Sequence, residues 1–369
     1  MRTERRLTVA LLAWMCLVTL APRTCAWQSL VQDGRSSPAA TVPTALPRGF
    51  FQHTLELPED GSRKYAVYVP PQYFTEADHK WPLLVVLHGS GEIGTDGVAP
   101  TQVGMGPYIA GRPKRFPFIA VFPQAHAMWY RGVEEIAVYQ IIEDVCKEYR
   151  VDRDRIYLTG FSMGGFGTWE LGIRRPDLFA ALVPICGAAP MDYVGNLVNL
   201  PVWVFHGAKD ANVKVEGSRD AVARLKSLGG SPLYTEFPQI GHNSWDTAYH
   251  TPALYKWLLA QRRVAHPKTI DYTFPGGAIQ VWWLAMESEP NRKAPAHIRA
   301  TISNDGEVIV ESEGVASFAI LSKSEPIRVG QDVLVKWNGA VVYKGRYEGP
   351  VVVRPNRDAA PAGPATSTP

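Results

Sequence analysis

The chain has 369 residues, 46% of them hydrophobic and 20% charged. That composition excludes a disordered or fibrous polypeptide and leaves room for about two domains at roughly 150 residues each. The formal net charge of +3, the absence of any Cys-x-x-Cys and the absence of His-Glu-x-x-His among nine histidines give no support to a nucleic-acid partner, a metal site or another cofactor.

The chain opens on Met1-Arg2-Thr3-Glu4-Arg5-Arg6, an apolar run from Leu7 to Ala21, and Thr24-Cys25-Ala26. A basic start, a short apolar stretch and small residues before a cut near Ala26 predict a secretory signal peptide over 1–26. About 15 apolar residues are too few to span a bilayer, so a secreted or periplasmic protein without stable membrane insertion is expected. Cleavage removes Arg2, Arg5, Arg6, Arg23 and Glu4, which balances basic and acidic residues. It also removes Cys16 and Cys25, leaving Cys146 in a helical pattern and Cys186 at a strand end. Two buried thiols are favoured there over a bridge. Residues 27–48, rich in Ser, Pro, Ala and Thr, read as a linker.

From Gly49 a folded α/β domain is expected to run to residue 263. Phe50 to Leu57 and Lys64 to Pro70 read as a hairpin around Pro58-Glu59-Asp60-Gly61. Pro82 to Leu87 and Phe118 to Phe122 are continuous apolar runs, the mark of strands covered on both faces. Between them lies a polar, glycine-rich loop from His88 to Gly104. Val133 to Arg150 carries apolar residues at helical spacing. Further strands are predicted at Ala181 to Ile185, Val202 to Phe205 and Leu233 to Phe237, with helices from about Glu216 to Leu228 and Ser244 to Arg262. Strands alternating with helices predict a mostly parallel sheet with function at its carboxyl edge. From 264 to 353 the rhythm changes to short alternating stretches with turns at Asn304-Asp305-Gly306 and Asn338-Gly339, a small sandwich-like all-β domain with primed-type turns. Residues 354–369 read as a disordered tail.

The organising stretch is Leu158 to Glu170, in which Tyr157-Leu158-Thr159 feeds Gly160-Phe161-Ser162-Met163-Gly164 and a helix leaves it. A serine on a strand-to-helix elbow needs glycines two residues either side, because a Cβ there meets the neighbouring elements. A serine nucleophile needs a base and the base an acid, in the order Ser, Asp, His. Asp210 follows the strand two beyond that of Ser162, and His242 follows the last strand. The oxyanion donors expected are the amides of Met163 and Ser90, with Gly91 as the rival for the second. His88 and His206 read as structural. A histidine base predicts a rate that rises from acid to neutral pH.

Five segments carry a family resemblance: Leu87-His88-Gly89-Ser90-Gly91-Glu92, Phe122-Pro123-Gln124, Asp154 to Gly165, Pro184-Ile185-Cys186-Gly187 and Gly241-His242-Asn243-Ser244-Trp245. Together they resemble the secreted bacterial α/β-hydrolase esterases called predicted peptidases. These are related to polyhydroxybutyrate depolymerases, feruloyl and acetylxylan esterases and, more distantly, prolyl oligopeptidase. The resemblance covers about residues 64–262 and implies the α/β-hydrolase fold and a hydrolase using Ser162, Asp210 and His242.

Only residues 186–201 separate two strands between which lipases often insert a lid, so an open cleft is expected. Its border is assigned to the loops carrying Glu92, Trp129 and Trp245. The expected partner is an ester of a short or aromatic acyl group, including esters on carbohydrate polymers. A peptidase of the prolyl oligopeptidase type is the runner-up, and a non-catalytic binding protein on a hydrolase scaffold the alternative from another class. In the β unit, Trp282, Trp283 and Trp337 read as core before sugar platforms.

Overall fold

The computed structural model describes residues 46–130, 132–322 and 325–354. The expected signal peptide, the linker up to residue 45 and the tail from 355 lie outside them. The chain divides into two compact units between Ala265 and His266.

In the first unit the strands are β1 (Phe50–Leu57), β2 (Gly61–Tyr68), β3 (Trp81–Leu87), β4 (Ile119–Pro123), β5 (Val151–Phe161), β6 (Ala181–Ile185), β7 (Trp203–Gly207) and β8 (Leu233–Phe237). They form one sheet in the order β1-β2-β4-β3-β5-β6-β7-β8. It is antiparallel from β1 to β4 and parallel from β4 onward. The helices are α1 (Met105–Ala110), α2 (Val133–Glu148), α3 (Met163–Arg174), α4 (Glu216–Ser227), α5 (Trp245–Tyr249) and α6 (Pro252–Ala260).

All seven residues of β3 are buried, as its unbroken apolar run requires. Strand alternation sends Leu83, Val85 and Leu87 into a core with Val138, Ile142 and Trp169 of α2 and α3. Leu84 and Val86 go to the opposite core, with Met105 and Ile109 of α1, Tyr249 of α5 and Leu254 of α6. With both faces covered, the ends of the parallel strands are left for chemistry. One buried ion pair fixes the first turn of α2, where the Arg63 guanidinium holds Glu134 bidentately at 2.8–3.1 Å.

The helix expected from Ser244 to Arg262 is two helices broken at Thr251-Pro252. Proline has no N–H to donate and pushes the preceding residue out of the helical region, and Thr251 is extended with ψ 107°. The loop after β3 is more ordered than its glycines suggest, containing α1 and two single 3-10 turns, Ser90–Glu92 and Ala99–Thr101.

In the second unit a four-stranded sheet is formed by β10 (Ala278–Val281), β11 (Leu284–Ser288), β14 (Val315–Ile320) and β17 (Val351–Val353). A five-stranded sheet is formed by β9 (Thr269–Phe274), β12 (Ala296–Ile302), β13 (Glu307–Glu313), β15 (Asp332–Trp337) and β16 (Ala340–Arg346). Residues from both sheets share one core. The stretch Gln280 to Met286, read as one strand, is a hairpin that turns at Trp282, whose φ is 49°. The primed turn is present at Asn338-Gly339, with φ 46° and 85°. At Asn304-Asp305-Gly306 only the glycine has positive φ, the pattern of a longer loop closing on a left-handed glycine. Trp283 is buried and donates to the Pro267 carbonyl at 2.7 Å, and Trp337 donates to Ser312 Oγ and meets Phe318 edge-on. Packing therefore occupies both, as the core reading expects.

Candidate active site

Ser162 stands between β5 and α3 with φ 53° and ψ −119°. The left-handed turn is tolerated because its neighbours are locked. A Cβ on Gly160 would lie 2.4 Å from the Gly164 carbonyl oxygen, and one on Gly164 would lie 2.1 Å from that of Leu87. The elbow thus presses β5, α3 and β3 together in a way only glycine allows. The Ser162 N–H is held by the Ile185 carbonyl at 3.0 Å and by Cys186 Sγ at 3.2 Å.

The three residues expected to act together converge from the ends of β5, β7 and β8. His242 Nε2 lies 2.9 Å from Ser162 Oγ, and His242 Nδ1 lies 2.8 Å from Asp210 Oδ2. The facing carboxylate fixes the proton on Nδ1 and leaves Nε2 to accept from the serine hydroxyl. Asp210 is fully buried in its side chain. Burial works to raise its carboxyl, but hydrogen bonds from His206, His242 and the Val213 N–H hold it well below the ordinary carboxylate range.

Met163 opens α3, so its N–H has no intrahelical acceptor. Ser90 opens the 3-10 turn after β3 and is exposed. Sequence reasoning missed what holds that loop, which is Gln124 at the end of β4. Its Nε2 donates to the Glu92 carbonyl at 3.1 Å and to Asp96 Oδ2 at 3.2 Å, while its Oε1 accepts from the Gly97 N–H at 2.5 Å. Phe122-Pro123-Gln124 is among the segments of the resemblance, but the sequence assigns Gln124 no role because its partners are mostly backbone atoms. His88 is structural, as expected. It donates from Nδ1 to the Gly89 carbonyl and accepts the Ala125 N–H at Nε2, and burial lowers it to about 4.

Of the three residues assigned to the cleft border, Trp129 is corrected. It is 1% exposed, donates to the His88 carbonyl at 2.9 Å and fills the space beside Gly167, whose Cβ would lie 2.6 Å from that of Trp129. Its size and its satisfied N–H make it packing under the loop. Trp245 does reach the site, stacked on Phe161 at 4.6 Å and edge-on to His242 at 5.4 Å. It forms a wall of a cleft of about 450 Å³ whose other lining includes Gln102, Tyr108, Asn243, Asp246 and His250.

Glu92 is half-buried, and its Oε2 points to the space beside Gly89 and the Phe161 ring with no hydrogen-bond partner. Burial pushes its carboxyl up from 4.5 to about 7. Between those values the unfolded chain releases a proton that the folded chain keeps, so stability falls as pH rises through that window. Glu92→Gln, which removes the titration, is expected to raise Tm relative to wild type by more at pH 8 than at pH 5. Equal differences at both pH values in a thermal melt would place the Glu92 carboxyl in solvent.

The donor atoms of Cys186, Asp210 and His242 lie within 4.8 Å of one another. Burial pushes the thiol up to about 12, so it stays protonated, and both carboxylate oxygens already accept hydrogen bonds. Each of the three groups thus already has a partner within the protein. Among the described cysteines, Cys146 and Cys186 are separate thiols.

The sheet and its helices have the α/β-hydrolase fold, and the elbow serine is aligned with a histidine and a buried aspartate. Residues 131–251 match the family described as Phospholipase/Carboxylesterase. The chain is 31% identical to a bifunctional acetylxylan esterase/xylanase of Neocallimastix patriciarum over 118 residues, 31% of this chain and 16% of that one. It is 28% identical to an uncharacterized secreted protein of Arthroderma benhamiae over 319 residues, 72% of this chain and 34% of that one. Among solved structures it is similar to a thermostable esterase at 34% identity and TM-score 0.54, covering 58% of this chain and 64% of that one. The chain therefore spans less than two thirds of each of these relatives. The likeness bears out the resemblance to esterases of this fold that the motifs carry. Among the described residues, no helix is long and apolar enough to cross a membrane.

Proposed function

We propose that the chain is a secreted serine carboxylesterase that forms an acyl-enzyme on Ser162. His242 takes the Ser162 proton as Oγ attacks the ester carbonyl, Asp210 holds the imidazole, and the amides of Met163 and Ser90 take the developing oxyanion. His242 then protonates the departing alkoxide, and water repeats the sequence to release the acid. The observation that carries this reading is the unbroken line from Asp210 Oδ2 through His242 to Ser162 Oγ, at 2.8 Å and 2.9 Å.

The alcohol side is the cleft bounded by Trp245, because His242 delivers its proton to the leaving oxygen and Trp245 stands against the His242 ring. An aromatic wall with amide, carboxylate and imidazole groups around it suits a sugar, whose ring is apolar on its faces and hydroxylated at its edge. The likeness to an acetylxylan esterase supports a short acyl group on a carbohydrate, and aromatic acyl groups remain within the same proposal.

A substrate panel at matched concentration tests it: acetyl, butyryl and palmitoyl p-nitrophenyl esters, methyl ferulate, acetylated xylan and a prolyl-peptide anilide. The highest kcat/KM is expected on a short acyl ester, methyl ferulate or the acetylated polymer. A highest value on the anilide would make the protein a peptidase, and on the palmitoyl ester a lipase. No turnover of any member would favour a non-catalytic binding protein on this scaffold.

A further inference from the structure

We propose that His206 is a positioning residue for this reaction, holding the same oxygen of Asp210 that holds His242. The inference rests on the Ser162, His242 and Asp210 reading and adds to it a fourth side chain behind the acid. His206 ends β7 and is fully buried. Its Nε2 lies 3.2 Å from Asp210 Oδ2 and 3.0 Å from the Val213 carbonyl, two acceptors, so Nε2 carries the proton.

Asp210 is thereby fixed by four donors, two on each oxygen. The N–H groups of Asn212 and Val213 reach Oδ1 at 2.8 Å and 2.9 Å, while His242 Nδ1 and His206 Nε2 reach Oδ2. A carboxylate with donors on one oxygen alone would keep freedom to rotate, whereas this one has a single orientation. His206 is itself held from behind. Its Nδ1 lies 2.8 Å from Ser218 Oγ, which lies 3.0 Å from the Gly187 carbonyl oxygen. Gly187 packs so closely on Gly165 of the nucleophile's helix that a Cβ there would sit 2.4 Å from the Gly165 carbonyl carbon. With the ring proton on Nε2, the one Ser218 hydroxyl proton goes to Nδ1, so the buried polar chain runs Asp210, His206, Ser218, and Gly187 packs behind it against the elbow.

The second consequence is electrostatic. The Nε2–H on Oδ2 takes up part of the charge that His242 would otherwise face, so losing it leaves a more negative oxygen beside the imidazole. That favours the imidazolium and moves the acid limb of the rate profile to higher pH. The titratable groups around His206 are Asp210, His242, Cys186 at the end of β6, and Glu236 opposite it on β8, which is paired with Arg219.

The test is a pH profile of kcat/KM on p-nitrophenyl acetate for the full chain carrying His206→Phe and His206→Gln, with Ser162→Ala as the blank. Phenylalanine keeps the volume and removes the donor. It is expected to lower kcat by about 10- to 100-fold at a KM within about twofold, and to raise the acid limb by about half a pH unit or more. Glutamine, whose amide can reach Oδ2, is expected to restore most of kcat and the wild-type limb. If the phenylalanine variant does not fold, His206→Asn, a methylene too short to reach Oδ2, replaces it in the comparison. An unmoved acid limb with equal losses in both variants would reduce His206 to packing, and full activity of His206→Phe would remove it from the reaction. Wild-type turnover that does not exceed the Ser162→Ala blank would instead overturn the esterase reading itself.

Discussion

Replacing Ser162 by alanine is expected to lower the turnover of a p-nitrophenyl ester about a millionfold, as loss of a triad serine does where acyl transfer runs through it. The effect is large because every other group depends on that oxygen. Without Oγ, His242 has no serine hydroxyl to deprotonate and no acyl-enzyme can form, which leaves only what the oxyanion donors and binding give to direct attack by water. The substitution leaves the elbow standing. Its shape is set by the contacts of Gly160 and Gly164 with the neighbouring backbone and by the Ser162 N–H on the Ile185 carbonyl. Alanine keeps all of these, so a kinetic loss with an unchanged Tm separates chemistry from folding.

Asp210→Asn is expected to lower kcat about ten-thousandfold, the scale seen when a triad acid becomes an amide and its histidine takes the wrong tautomer. Here the amide has no compatible orientation. With the oxygen kept on the two backbone N–H groups, the NH₂ turns His242 to its other tautomer and still opposes the His206 Nε2–H; turned round, the NH₂ opposes both backbone N–H groups. The variant should therefore lose stability as well as rate. Because the wild-type carboxyl is held below its usual range, its contribution to stability is present above about pH 4 and is lost as pH falls below it. The Tm gap between wild type and Asp210→Asn should narrow toward acid pH. Near-wild-type kcat in steady-state assays of this variant would assign the histidine another acid.

Much of the site was legible because its chemistry fixes spacing along the chain. The elbow needs glycines at 160 and 164, and the fold delivers acid and base after particular strands, so Ser162, Asp210 and His242 stand out in order. The sheet was legible for a similar reason, since a strand buried on both faces must be apolar throughout, as residues 82–87 are. Trp129 was misread because a tryptophan in a loop looks the same whether it lines a cleft or fills the space beside a distant glycine, here Gly167. Gln124 and His206 escaped for a related reason. Gln124 meets Glu92 and Asp96 only through the fold, whereas His206 is four residues from Asp210 and reads as structural because nearness along the chain does not show which way the ring turns. The break at Pro252 was a matter of weight, since apolar periodicity on both sides outvoted a proline that ends one helix and begins another. The hairpin at Trp282 was hidden because a tryptophan rarely takes positive φ and gave no turn signal.

Covalent capture tests the central claim most directly. The full chain is incubated with a fluorophosphonate, digested, and the modified peptide identified by mass spectrometry, with Ser162→Ala and Asp210→Asn run in parallel. Stoichiometric labelling of the peptide at Ser162, absent in Ser162→Ala and slowed by orders of magnitude in Asp210→Asn, is the result predicted. A wild-type protein that is folded and hydrolyses esters while Ser162 stays unlabelled would contradict the account.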